Sequence, residues 1–296
     1  MTRRGIIWAW LIGVVGFLVI FLMTLVAIES ILGTRVSLPS YGARVGLVRV
    51  YGVLTDAEQV IEDIEAMQTA GVSALVLRVD SPGGGVAASQ EIYDCLARVK
   101  DEGTPIVVSM GAIAASGGYY ISCHADSVIA NPGTLTGSIG VIMSFSNLEE
   151  LFGKIGLSFD VVKSGEYKDT GSWSRTMTDE ERALLQATVD DIHMQFVETV
   201  AEGRGMRVDD VAALADGRIF SGRQAVGAGL VDGLGNLDDA IATAGRMAGI
   251  DGEPRVQEPV RPRNLTLADL FTGAFGRMLE PRASSQGALY LYNPSK

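Results

Sequence analysis

Cysteine, histidine and lysine are scarce in this chain of 296 residues, and each shortage narrows what it can do. Two cysteines, Cys95 and Cys123, cannot staple a disulfide-rich scaffold and stand at no metal-ligand spacing; buried thiols are the simplest reading, with a disulfide between them left open. Two histidines, His124 and His193, cannot build a histidine-rich metal centre, so no metal and no cofactor is expected. Lysine and arginine number 24 against 35 acidic residues, a formal net charge of −11. With no basic excess to neutralise phosphates, nucleic acid is not an expected partner. What remains is 47% apolar residues and 36 glycines, the composition of a globular α/β protein.

Only one long hydrophobic run is present. Gly5 to Ile28 carries no charge and is dense in Ile, Leu, Val, Phe and Trp. At about 1.5 Å per residue a helix of this length spans the ~30 Å hydrocarbon core of a bilayer. Arg3 and Arg4 precede the run and Glu29 is the first charge after it, so the positive-inside rule keeps the N-terminus in the cytoplasm and exports the rest. A cleaved signal peptide is the rival, but the run exceeds an ordinary h-region and no clean small-x-small site follows. The expected layout is a cytoplasmic N-terminus at 1–4, a transmembrane helix at 5–28 and a linker at 29–43. A main globular domain at 44–252 and a partly ordered tail at 253–296 complete it.

Past the linker, strand-like and helix-like segments alternate, as in an α/β domain with crossovers. Strands are expected at Val45–Val50, Ala74–Val79, Ile106–Ser109, around Val128, at Val141–Phe145 and at Ser158–Lys163. Helices are expected at Ala57–Met67, Ala87–Val99, from Ser116 onward, at Leu148–Lys154, at Asp179–Glu202 behind a Thr178 cap, and at Leu237–Ala248.

Two glycine-rich segments could carry chemistry. Ile113-Ala114-Ala115-Ser116-Gly117-Gly118-Tyr119-Tyr120 sets a serine among small residues where a strand hands over to a helix. That position exposes a hydroxyl and leaves the Gly117 amide free to face an oxyanion. Taken alone, such a serine is more often a cap or a packing contact, and Ala114 breaks the G-x-S-x-G elbow. Asp80-Ser81-Pro82-Gly83-Gly84-Gly85 follows a strand and bares its amides; without a Walker lysine or dinucleotide spacing it suits a second oxyanion donor better than a nucleotide.

A serine nucleophile needs a base. His124 lies eight residues after Ser116 on what reads as one helix, about 12 Å away along its axis. His193 sits between Ile192 and Met194 inside the long helix, a packing or surface position. A lysine serves if its environment lowers its pKa from about 10.4 toward neutrality. The chain has five, Lys100, Lys154, Lys163, Lys168 and Lys296. Lys163 and Lys168 flank Ser164-Gly165-Glu166-Tyr167, and the residues themselves do not choose between the two.

Together these segments resemble the signal peptide peptidase A family of membrane peptidases. The resemblance runs from about 45 to 250. It adds Gly133-Thr134-Leu135-Thr136-Gly137-Ser138-Ile139-Gly140-Val141, Lys163 to Asp169, and Gly217-Arg218-Ile219-Phe220-Ser221-Gly222-Arg223-Gln224-Ala225 with Gly229-Leu230-Val231-Asp232. It implies a Clp protease/crotonase-like α/β fold of repeated ββα units and a Ser/Lys dyad. Ser116 would be the nucleophile, Lys168 the base, the Gly84 and Gly117 amides the oxyanion donors, and Ser138 the residue orienting the lysine. It further implies peptide substrates, notably cleaved signal peptides, with homo-oligomeric assembly in the cytoplasmic membrane and a catalytic domain outside it. Two other readings stand beside it: a catalytically silent crotonase-like scaffold binding an acyl-thioester or a partner, and a general quality-control protease. The short apolar run Ala288-Leu289-Tyr290-Leu291-Tyr292 is expected to resemble a substrate.

Overall fold

The computed structural model describes residues 42–260, together with Trp10, Gly16, Phe17 and Ile20, which are helical. Apart from those four residues the expected transmembrane helix, with most of the linker and the C-terminal apolar run, lies outside the described residues. Among the described residues no helix is long and apolar enough to cross a membrane.

Residues 41–259 form one compact unit around an eight-stranded sheet. Its strands are β1 (Arg44–Tyr51), β2 (Ala74–Ser81), β3 (Ile106–Ala115), β4 (Ser127–Ala130), β5 (Leu135–Gly137), β6 (Ile219–Ser221), β7 (Gly233–Leu234) and β8 (Arg255–Gln257). The order is β6-β5-β3-β2-β1-β8, with β4 pairing β3 and β7; every pair is parallel except β5 with β6. Parallel sheets bury both faces, and the near-continuous apolar runs of β1 to β3 fit that demand. Val48, Val50, Leu75, Leu77, Val79, Ile106, Val108 and Met110 form one face, under α1 (Glu58–Thr69) and α2 (Val86–Asp101). Val45, Leu47, Ala74, Val76 and Val107 form the other, under Ala240 and Ala244 of an amphipathic helix at Leu237–Met247.

β3 positions the site. Its first half pairs with β4 through Val107 to Met110, its second half with β5 through Ile113 to Ala115. Where it switches partner, the Asp80 carboxylate accepts from the Ile113 amide at 3.1 Å. The strand thus runs to Ala115, six residues beyond its expected end, and delivers Ser116 at the rim of the sheet. The following helix α3 (Gly117–Tyr120) is one turn long. The chain must return to start β4, and the Asp126 carboxylate fixes that return by accepting from the Ile106 amide at 2.8 Å. His124 and Cys123 therefore sit in turns rather than on a continuous helix. Both cysteines are buried free thiols.

Between β5 and β6 come α4 (Glu149–Ile155) and α5 (Asp179–Arg204). Thr178 caps α5 with a full capping box: its hydroxyl accepts from the Glu181 amide, and the Glu181 carboxylate accepts from the Thr178 amide. The C-terminal half of α5 packs on the core through Phe196, Val197, Val200 and Ala201, whereas no residue from 141 to 180 is buried. The strands expected at Val141–Phe145 and Ser158–Lys163 are irregular instead. A strand needs a neighbour, and the edge of β5 is taken by β6. Arg255–Gln257, expected in the tail, pairs with β1 as β8.

Candidate active site

Ser116 occupies a backbone conformation that side chains rarely adopt, φ 53° and ψ −122°. Several bonds hold it there: its amide donates to the Gly137 carbonyl at 2.8 Å, and its carbonyl accepts from the amides of Tyr119 and Tyr120 at 2.9 Å each. Non-glycine residues in such regions cost about 1–3 kcal/mol and persist where the surroundings over-determine them, as they do at many active sites. Ser116 lines a cleft of about 120 Å³ together with Gly84 and Gly117.

The two glycine loops meet at this point. A side chain on Gly83 would put its Cβ 2.6 Å from the Gly117 nitrogen and 2.9 Å from the Ser116 Cβ, and one on Gly117 would lie 3.3 Å from the Gly84 nitrogen. The Gly83-Gly84-Gly85 loop is held from behind by Leu54, whose amide donates to the Gly83 carbonyl at 2.9 Å and whose carbonyl accepts from the Gly85 amide at 2.7 Å. Those two bonds skip Gly84, and neither the Gly84 nor the Gly117 amide has a hydrogen-bond partner among the described residues. Two unpaired amides beside a strained serine are the donor pair that a tetrahedral oxyanion requires.

Much of the rest of the cleft comes from helical residues outside the motifs quoted above. Val86, Ser89 and Gln90 project from the first turns of α2, and Ile192 and Phe196 from α5. Tyr120 and the segment Gly140 to Ile142 close it. The spacings i, i+3, i+4 on α2 and i, i+4 on α5 place each set on one helical face, the one signal that could have found them. The Tyr120 ring packs 5.1 Å from Phe196 and 5.4 Å from Tyr93, and burial raises its pKa. Apolar Val86, Val141, Ile142, Ile192 and Phe196 share the lining with polar Ser89, Gln90 and Ser116, so the cleft offers both apolar contact and hydrogen-bonding groups.

The two histidines stay out of the cleft. The His124 ring approaches the Tyr93 hydroxyl at 3.2 Å, and burial, with Lys100 alongside, lowers its pKa. His193 is half-buried on α5. The two lysines that the sequence left unresolved now differ. The Lys163 ammonium is bound to the Asp169 carboxylate at 2.6 Å and to the Glu166 carbonyl at 2.7 Å. Lys168 is exposed, and its side chain makes no hydrogen bond or ion pair among the described residues. Neither lysine lines the Ser116 cleft, and neither does Ser138. Ser138 stands half-buried at φ 50°, its amide donating to the Arg218 carbonyl at 2.9 Å. Ser116, Gly84 and Gly117 are thus brought together in one cleft; Ser138 directly follows Gly137, whose carbonyl holds the Ser116 amide, and Lys168 lines no part of that cleft.

A profile described as Peptidase family S49 matches residues 98–251, just over half of the chain. The chain belongs to peptidase family S49. A second profile, Clp protease, matches residues 53–134. Among relatives, a Synechocystis sp. protein named as a protease, slr0021, is 45% identical over 210 residues, covering 70% of this chain and 76% of that one. An Enterococcus faecium protein named as signal peptide peptidase SppA is 42% identical, over 64% of this chain and 53% of its own. The chloroplastic serine protease SPPA of Arabidopsis thaliana is 35% identical, over 73% of this chain but only 32% of its own length. A solved structure of 1510-N, a membrane-bound stomatin-specific protease, superposes with a TM-score of 0.52 at 14% identity, over 74% of this chain and 98% of that one. That likeness concerns the fold. The S49 chain is therefore a serine peptidase of the signal peptide peptidase A family on a Clp-protease-like α/β sheet.

Proposed function

We propose that this serine peptidase is a membrane-anchored endopeptidase that uses Ser116 as nucleophile and Lys168 as general base to cleave signal peptide remnants and other hydrophobic peptides. The observation that carries the reading is Ser116, held at a positive φ beside two unpaired glycine amides in a cleft that Val86, Ile192 and Phe196 also line. In the proposed cycle the neutral Lys168 amine takes the Ser116 proton, the alkoxide attacks the peptide carbonyl, and the Gly84 and Gly117 amides receive the negative oxygen. The protonated lysine then gives its proton to the leaving amine, and a water deprotonated by the same amine hydrolyses the acyl-enzyme. Ser138 orients the amine.

Lys168 lies on the unburied segment 141–180, which also exposes Ile142, Met143, Phe145, Leu151, Leu157, Phe159, Val162 and Trp173. An apolar surface of this extent is normally covered. Coverage by a second copy supports homo-oligomeric assembly, in which the lysine of one protomer serves the Ser116 cleft of its neighbour. The apolar run Gly5 to Ile28 supports the anchor, and its flanking Arg3 and Arg4 support a catalytic domain outside the cytoplasmic membrane.

The test is a peptidase assay on a fluorogenic hydrophobic peptide with Ser116→Ala, Lys168→Ala and a mixture of the two. Each variant alone is expected to be inactive, because members of a catalytic unit are not additive. The mixture recovers activity if protomers exchange, since some neighbours then pair an intact Ser116 with an intact Lys168. An active Ser116→Ala or Lys168→Ala variant would refute the dyad.

A further inference from the structure

The turn that carries Lys168 has no buried residue, yet it is tied down by charge. Asp169, next in the chain, is gripped by two cations: Lys163 at 2.6 Å, and Arg175, whose Nε and terminal nitrogen reach its two carboxylate oxygens at 2.9 and 2.8 Å. The same guanidinium turns its other edge to Glu181, donating to one oxygen at 2.8 Å and, through the nitrogen that also serves Asp169, to the other. Glu181 is 3% exposed and is the capping-box residue of α5; it also accepts from the Thr178 amide at 2.9 Å and from the Thr170 hydroxyl at 3.1 Å. The carboxylates respond as clamped groups do. Hydrogen bonds from Arg175, then from Lys163, hold Asp169 far below the carboxylate range. Arg175, then the Thr178 amide, lowers Glu181 to about 2.

We propose that Arg175 is a positioning residue for the peptidase reaction: by bridging Asp169 to Glu181 it fixes the Lys168 turn to the N-terminus of α5. This rests on the reading of Lys168 as the base. The helix so gripped is the one whose Ile192 and Phe196 line the Ser116 cleft of its own protomer, so in an assembly it holds a lysine turn for one active site and lines the pocket of another. A planar guanidinium can do this because it offers two hydrogen-bonding edges at fixed angles; an ammonium is a point charge and cannot bridge two carboxylates in register. The bridge also balances charge beside Lys168. Lys163 and Arg175 offset Asp169 and Glu181, whereas loss of the guanidinium leaves one uncompensated carboxylate in the cluster that begins at Asp169, the residue after Lys168. Glu166, in the same turn, is exposed, and its backbone carbonyl accepts from Lys163.

The experiment measures kcat, KM and the pH profile of kcat on one fluorogenic peptide for the full-length chain and for Arg175→Gln, Arg175→Lys, Glu181→Gln and Lys168→Ala. Displacing a reacting group by about 1 Å can cost about a hundredfold in rate. Arg175→Gln is expected to lower kcat about 10- to 100-fold, leave KM within about threefold and move the pH profile to higher pH. Arg175→Lys should lose rate without moving the profile, because it keeps the charge and loses the fork. Glu181→Gln keeps the capping box, because glutamine serves at that position, and is expected to show a smaller loss; it decides the matter should Arg175→Gln fail to fold. Wild-type kcat and pH profile in Arg175→Gln, with Lys168→Ala inactive, would overturn the positioning role and leave the base assignment standing. An active Lys168→Ala variant would overturn both.

Discussion

The paired substitutions Gly84→Ala and Gly85→Ala test the oxyanion loop at single-residue resolution. A Cβ on Gly84 would lie 2.2 Å from the Leu54 carbonyl oxygen and 2.6 Å from its nitrogen, both backbone atoms that no rotamer change can move. Reaching an ordinary contact requires the loop to shift by about 1 Å, which stretches a normal hydrogen bond of about 2.9 Å past its useful limit. Loss of one oxyanion donor costs about 10²–10³ in kcat, or roughly 3 kcal/mol of transition-state stabilisation. The shift also strains the two Leu54 bonds that hold the loop, each worth about 1 kcal/mol net. Melting is therefore expected to fall by about 4–8 °C, leaving the variant folded at 25 °C. One residue along, a Cβ on Gly85 meets the same Leu54 oxygen at 3.5 Å and Ala88 at 3.8 Å, both ordinary contacts. Gly85→Ala should keep kcat within about twofold, since helix N-cap changes of this kind act on stability rather than on the reacting atoms. Initial rates on a fluorogenic peptide, with a thermal melt for each variant, complete the assay. A Gly84→Ala enzyme within about threefold of wild-type kcat, or a Gly85→Ala enzyme as damaged as Gly84→Ala, would refute the loop geometry.

Ser116→Gly should abolish hydrolysis while raising stability by about 1 kcal/mol, because glycine relieves the positive φ of 53°; a variant that melts below the wild type would contradict the strain reading. Lys163→Ala is expected to retain most activity, with a modest loss from a looser Asp169, because its ammonium is occupied by that carboxylate; an inactive Lys163→Ala beside an active Lys168→Ala would reverse the base assignment. Glu181 titrates at about 2 in the folded state against about 4.5 when unfolded, so its contribution to stability is full above pH 4.5 and is lost as pH falls toward 2. Hydrogen exchange should show the N-terminal turns of α5 opening across that window in the wild type, with the transition blunted in Glu181→Gln.

What the sequence revealed depended on whether a signal was local. The three central strands were legible because a parallel sheet buried on both faces needs unbroken apolar runs, which β1, β2 and the start of β3 supply. Thr178 announced α5 by capping chemistry alone. Ser116, Gly84 and Gly117 were legible because close backbone approach demands small residues at fixed places. Two features were not. Val141–Phe145 and Ser158–Lys163 have the composition of strands, but composition does not say whether an apolar segment finds a sheet edge, and β6 occupies the edge they would have used. Lengths were misjudged around Ser116, where the partner switch from β4 to β5 carries β3 on to Ala115 and the return to β4 cuts α3 to a single turn.

The site divides along a line of local stability. Ser116, Gly84 and Gly117 sit where β2 and β3 end against buried Tyr119 and Ile121, with Ser116 bonded to Gly137 and the glycines on either side of Gly84 bonded to Leu54. Lys168 sits on a stretch with no buried residue, which can open locally at little cost unless something holds it. Within one copy the holding is done by side-chain charge, through Asp169, Arg175 and Glu181. Exposed ion pairs are individually weak, and a bidentate network anchored on a nearly buried carboxylate is the arrangement in which they count. In the proposed dyad, the oxyanion half would be preorganised by packing and the lysine half by electrostatics. High salt, which screens charge, and acid, which protonates the carboxylates, should each weaken the second half well before the first.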